Sequence, residues 1–182
     1  MPIMDDDRER AAPLRQDASD KVKDSRGTGE TEFEKKRGIH AVRVRRGLTR
    51  AYVCDLPSPV SQARLRILSL VREAGVSIDF LKFAHDAVSL VADEADQAKL
   101  EAALKGIEGR VEIEGNCCIV SVHAVNMQDE EGLVAGIVSE VIASGLQVDH
   151  IGDMHDRLLL VTDQETGDRL ATALEAKIGE AE

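Results

Sequence analysis

The feature that most constrains this chain is a repeat. Residues 72–83, REAGVSIDFLKF, are echoed by residues 142–153, IASGLQVDHIGD. In both segments a helical pattern ends at a glycine, Gly75 or Gly145, the residue best suited to the left-handed stop that closes many helices. A strand with an internal aspartate, Asp79 or Asp149, follows each time. A spacing of roughly 70 residues is too long for a solenoid unit and fits two copies of a small α+β domain.

The second copy reads most clearly. Cys118, Val120, Val122 and Ala124 alternate with Ser121 and His123, the period of a half-buried strand. Leu133, Val134, Ile137, Val138, Val141 and Ile142 then form a broad apolar helix stripe. Two strands follow around the polar turn 153–156, and a last helix at 165–178 places Leu170, Ala173, Leu174 and Ile178 inward. The helix after the first strand must cross over and pack on the sheet, which gives a ferredoxin-like βαββαβ unit. In the first copy, strand 48–56 ends at Pro57-Ser58-Pro59, which cannot continue a ladder. Ser61 is the expected N-cap of a helix running to Ala74. Strands at 76–83 and 87–92, a helix at 93–105 and a short strand at 110–114 complete it. The strand count is uneven. Residues 39–45 form an extra strand before the first copy, set off by a turn at Arg46-Gly47, while the second copy ends on a helix and lacks its closing strand.

Composition bounds the function. Aromatic residues are 2% of the chain against 43% hydrophobic, so the core must be aliphatic. A net charge of −11 argues against nucleic acid and anionic membranes as partners. Three cysteines without framework spacing imply reduced thiols, and Cys117 and Cys118 should point to opposite sheet faces. No apolar run is long enough to span a bilayer, and MPIMDDDRER has no secretory core, so a soluble cytoplasmic protein is expected. Residues 1–38 carry ten acidic and nine basic residues with too few apolar ones to form a face, which reads as a disordered charged tail. No phosphate loop, nucleophile elbow or paired-carboxylate motif is present, so no catalytic residue, cofactor or metal is assigned. His150, Asp153, His155 and Asp156 read as a charged hairpin tip.

The chain resembles the paired ACT domains that form the regulatory half of aspartate kinases, without the kinase domain. Met127, Gly132, the run Gly145-Leu146-Gln147-Val148-Asp149 and the strand Arg157-Leu158-Leu159-Leu160-Val161 carry the likeness. The resemblance implies that the strand before the first ACT domain joins the sheet of the second, and an otherwise unpaired edge asks for the same solution. It also implies an amino-acid site between the loop after the first strand and the start of the next strand. The family's Asp-Arg-Pro-Gly loop falls here on Pro59, Val60, Ser61 and Gln62, so the acid and the glycine are missing. In the second copy Gly132 is kept, but Glu131 stands at the usual proline, and three acids face a helix N-terminus. The implied pocket is walled by Asn126, Met127, Gln147 and Val148, with Ser58, Pro59, Val60, Ser61 and Gln62 of the other copy opposite.

The expected organisation is a tail at 1–38, a strand at 39–47 completing the second ACT domain, a first ACT domain at 48–115 and a second at 116–182. The expected function is non-catalytic and allosteric. The module should sense an amino acid and couple it to self-association as a homodimer, or to a partner enzyme of amino-acid metabolism. The alternatives are an interaction scaffold with a degenerate ligand site, and a non-catalytic subunit of an aspartate kinase or a protein bearing that name by descent.

Overall fold

Two long strands tie the molecule together. β1 runs over Ile39–Cys54 and β4 over Arg110–Ala124, and they pair antiparallel along almost their whole length. The computed structural model describes residues 38–124, 127, 131–154 and 156–178. The expected tail, apart from Gly38, and Asn126 lie outside the described residues.

Between these strands come α1 (Val60–Glu73), β2 (Ile78–Phe83), β3 (Val88–Asp93), a single 3₁₀ turn and α2 (Gln97–Leu104). After β4 come α3 (Leu133–Ala143), β5 (His150–Met154), β6 (Arg157–Asp163) and α4 (Gln164–Glu175). Among the described residues these six strands form one antiparallel sheet in the order β2-β3-β1-β4-β6-β5. Residues 39–45 of β1 pair with 119–124 of β4, so the extra strand does complete the second half. Residues 48–53 pair with β3 on the other side.

The expected breaks at Arg46-Gly47 and Gly115-Asn116 are bulges rather than strand ends. The register passes from Arg45↔Ile119 to Leu48↔Cys117 to Arg50↔Glu114, one extra residue first on β1 and then on β4. Each bulge uses a left-handed residue, Gly47 at φ 71° and Asn116 at φ 58°. An inserted residue absorbed this way bends and twists a strand without ending it.

Each half has its own core under its helices. Ala51, Val53, Ile67, Val88, Leu90 and Leu100 build the first, and Cys118, Val120, Val122, Ile137, Leu160 and Leu170 the second. Residues alternating with these on the strands point to the helix-free face. There Leu48, Val91, Cys117, Ile119, Leu159 and Val161 form a third cluster with Phe80 against it. The sheet therefore curls, and the helix-free face of one half closes on that of the other.

Local corrections follow from packing. The α1 N-cap is Pro59, extended at ψ 123°, so the helix starts at Val60 and Ser61 lies inside its first turn. Ile142 is 69% exposed, because the buried α3 stripe narrows to Ile137 and Val141. On α4 the inward row is Gly167, Leu170, Ala171 and Leu174; Ala173 faces out, and Ile178 lies beyond the helix end. Among the described residues no helix is long and apolar enough to cross a membrane.

Candidate functional site

The repeated aspartates meet arginines of β1. Asp79 pairs with Arg45 at 2.5 Å, and Asp149 pairs with Arg50 at 3.1 Å. Arg45 lies in the part of β1 that serves the second half and Asp79 in the first; Arg50 and Asp149 reverse that assignment. The two bridges thus cross the curl in opposite senses. Between them the residues that follow each aspartate, Phe80 and His150, stack with ring centroids 6.0 Å apart. His150 Nε2 also shares a hydrogen bond with Ser89 Oγ at 2.6 Å, and Phe80 lies where a β-carbon on Gly152 would collide with it. Burial, with Lys82 and Arg50 nearby, pushes the His150 imidazole down to about 4.

The Arg50–Asp149 bridge floors a pocket of about 430 Å³ at the seam between the halves. Glu114 and Gly115 come from the first half; Cys117, Gln147, Thr162 and Asp163 come from the second. The Arg50 side chain is 14% exposed and also donates to Glu114 at 2.5 Å, while its Nε is buried with no hydrogen-bond partner among the described residues. Burial works against the Arg50 charge, but the Glu114 hydrogen bond and the Asp149 and Glu114 charges more than offset it and raise its affinity for the proton. Asp149 is raised above the usual carboxylate range by burial, despite Arg50. Burial likewise raises the Cys117 thiol, which therefore stays neutral. Hydrogen bonds from Thr166 hold Asp163 low while it caps α4. Thr162 Oγ1 donates to the Gln147 carbonyl at 2.7 Å, fixing the backbone that carries the Gln147 side chain to the rim.

Three carboxylates against one already shared guanidinium leave this pocket net acidic. It suits a ligand with an ammonium group and a hydrogen-bonding partner for an amide. Within the chain, the residues expected to wall a ligand are dispersed. Gln147 lines the seam pocket, with Val148 half-buried behind it against the second core. The Met127 side chain is 1% exposed within the same core. Ser58, Pro59 and Gln62 line a separate pocket of about 380 Å³ at the start of α1, with Arg66, Ile107 and Glu108. Val60 packs against the first core and Ser61 is exposed. Sequence reasoning did not single out Arg50, Glu114, Thr162 or Asp163. The repeated aspartate was the available signal, since an acid on an inward strand position asks for a partner. Among the described residues no cluster of three or more metal-ligating side chains occurs, and His155 lies outside them.

No family model matches the chain, and no curated protein sequence matches it. Solved structures do. The regulatory subunit of aspartate kinase from Thermus flavus superposes with a TM-score of 0.69 at 13% identity, covering 77% of this chain and 98% of that one. A putative C-terminal regulatory domain of aspartate kinase from Porphyromonas gingivalis W83 gives 0.63 at 19% identity, covering 76% and 96%. Aspartokinase III of E. coli, in complex with lysine and aspartate, gives 0.64 at 17% identity, but only 34% of its length is covered. Likeness at such identities establishes the fold: the chain has the paired ACT fold of aspartate kinase regulatory domains.

Proposed function

We propose that this chain is a non-catalytic regulatory module that binds a small amine-bearing metabolite, an amino acid foremost, at the seam between its two halves. The observation that carries this reading is the fold match over 98% of a regulatory subunit of aspartate kinase, with a polar pocket at the boundary of the two halves. In the proposed pose the ligand ammonium sits among Asp163, Glu114 and Asp149. Gln147, which offers both a donor and an acceptor, meets the carboxylate end. E. coli aspartokinase III was solved with lysine and aspartate, which supports amino acids as the ligand class to test first. Occupancy would stiffen the seam and so bias self-association as a homodimer, or the grip on a partner enzyme of amino-acid metabolism, in the cytoplasm. Residues 39–47 and 116–182 would act as one ACT domain and 48–115 as the other.

A second reading, an interaction scaffold with a degenerate ligand site, is favoured by the dispersal of Met127, Gln147 and Gln62 described above. A thermal-shift screen across the twenty amino acids separates the two. A ligand at 100 times its Kd adds about 2.7 kcal/mol. For a chain of this size that is a rise of roughly 5–10 °C in Tm. No rise with any amino acid at millimolar concentration favours the scaffold.

A further inference from the structure

We propose that the helix-free face at the outer end of the second half binds a small, doubly charged oxyanion of the phosphate class, held by Arg43, His123 and Arg157. His123 on β4 stands directly opposite Arg157 on β6. Arg43 on β1 stands opposite Ser121, one alternation along from His123 on the same face. Directly opposed β-carbons are about 5 Å apart and diagonal ones about 7–8 Å, well within the reach of arginine side chains. The His40 ring adds a fourth group, 6.1 Å from that of His123.

Against these stands one described acid, Asp156, already held by Arg157 through Nε and Nη at 2.8 Å each. Arg43 is exposed and makes no ion pair among the described residues. Arg43 and Arg157 stand on the strands either side of the one that carries His123, and an anion between them is drawn by both guanidinium charges. Burial first, and then the Arg157 and Arg43 charges, hold the His123 imidazole below its usual range; Asp156 opposes them, and His40 adds to them. A bound dianion reverses the charge balance and lets His123 take a proton, so binding and protonation are linked.

The class follows from size and shape. The exposed Arg43 guanidinium fork matches the paired oxygens of a tetrahedral oxyanion. Arg157, whose Nε and one Nη hold Asp156, offers its other Nη, and Ser121 stands on β4 between the two arginine-bearing strands. The footprint spans three adjacent strands, enough for one such group. At a net charge of −11 the molecule as a whole repels extended polyanions such as nucleic acid. The patch is separate from the seam pocket, so its test does not depend on the amino-acid reading.

The test is an NMR titration of the His123 ring in the full chain. It is run with inorganic sulfate, with inorganic phosphate, with acetate and with sodium chloride at matched ionic strength, using His85 as the internal control. The expected result is that sulfate, a dianion throughout the titration, raises the His123 midpoint by about one pH unit over chloride, that phosphate, largely singly charged below neutral pH, raises it less, and that Arg43→Gln and Arg157→Gln each abolish the rise. Equal midpoints in sulfate and chloride would overturn the proposal. So would an equal rise in acetate, or a rise that survives both substitutions.

Discussion

Gly167 is where α4 comes closest to the sheet. A β-carbon there would overlap Cys118 Sγ and press on Val120. Burial pushes the Cys118 thiol up to about 11, so it packs as a small neutral group that donates to the Asp163 carbonyl at 3.4 Å. Gly167→Ala should therefore destabilise the fold by about 1–3 kcal/mol, the range for overpacking a closed core. The mechanism predicts coupling. Adding Cys118→Ala removes the overlapping atom, so the double variant should lose less than the two single variants together, as read by urea denaturation. Additive losses would show that the cost lies in the α4 backbone and not in this contact.

At the scale of elements, the molecule is two half-sheets clasped across a curl by equivalent residues of the repeat. The Arg50–Asp149 bridge is the more enclosed, with side chains 14% and 22% exposed against 55% and 19% for Arg45–Asp79. Arg50→Ala should accordingly cost about 1–3 kcal/mol by leaving Asp149 without its partner, and Arg45→Ala less than about 1 kcal/mol. The stacked His150 gives the clasp a pH dependence. Its pKa falls from 6.5 to about 4 on folding. Between those values the unfolded chain binds a proton that the folded chain refuses, so this contribution to stability is intact above 6.5 and is lost as pH falls toward 4. His150→Gln should flatten the Tm against pH profile in that window; an unchanged slope would assign it to other groups. Much of this was legible in sequence. The glycine stops, the repeat and the uneven strand count led to the fold and to the pairing of 39–45 with β4. What was not legible was continuity, because a bulge at Gly47 or Asn116 and a tight turn ask for the same left-handed residue. The candidate pocket was half legible. Gln147 follows from its place after Gly145, but Arg50 and Glu114 reach the pocket only because β1 and β4 run through both halves.

At the scale of the molecule, the sheet ends, among the described residues, at two unpaired edges, β2 and β5, flanked by the partly exposed Leu81, Phe83 and Met154. Unpaired edges with apolar neighbours favour pairing with another chain. Light scattering at micromolar concentration should give about twice the 19.8 kDa chain mass, and a monomer would remove self-association as the output. The proposed function stands on the binding of an amino acid at the seam. Calorimetric titration of the amino acid selected by thermal shift, into the unaltered chain and into Gln147→Ala and Gln62→Ala, tests it most directly. Loss of one hydrogen bond should weaken binding by about 0.5–1.5 kcal/mol in Gln147→Ala, or about 2- to 13-fold in Kd, with Gln62→Ala unchanged. An affinity indifferent to Gln147→Ala, or lost in Gln62→Ala, would contradict the seam site and move the ligand to the start of α1.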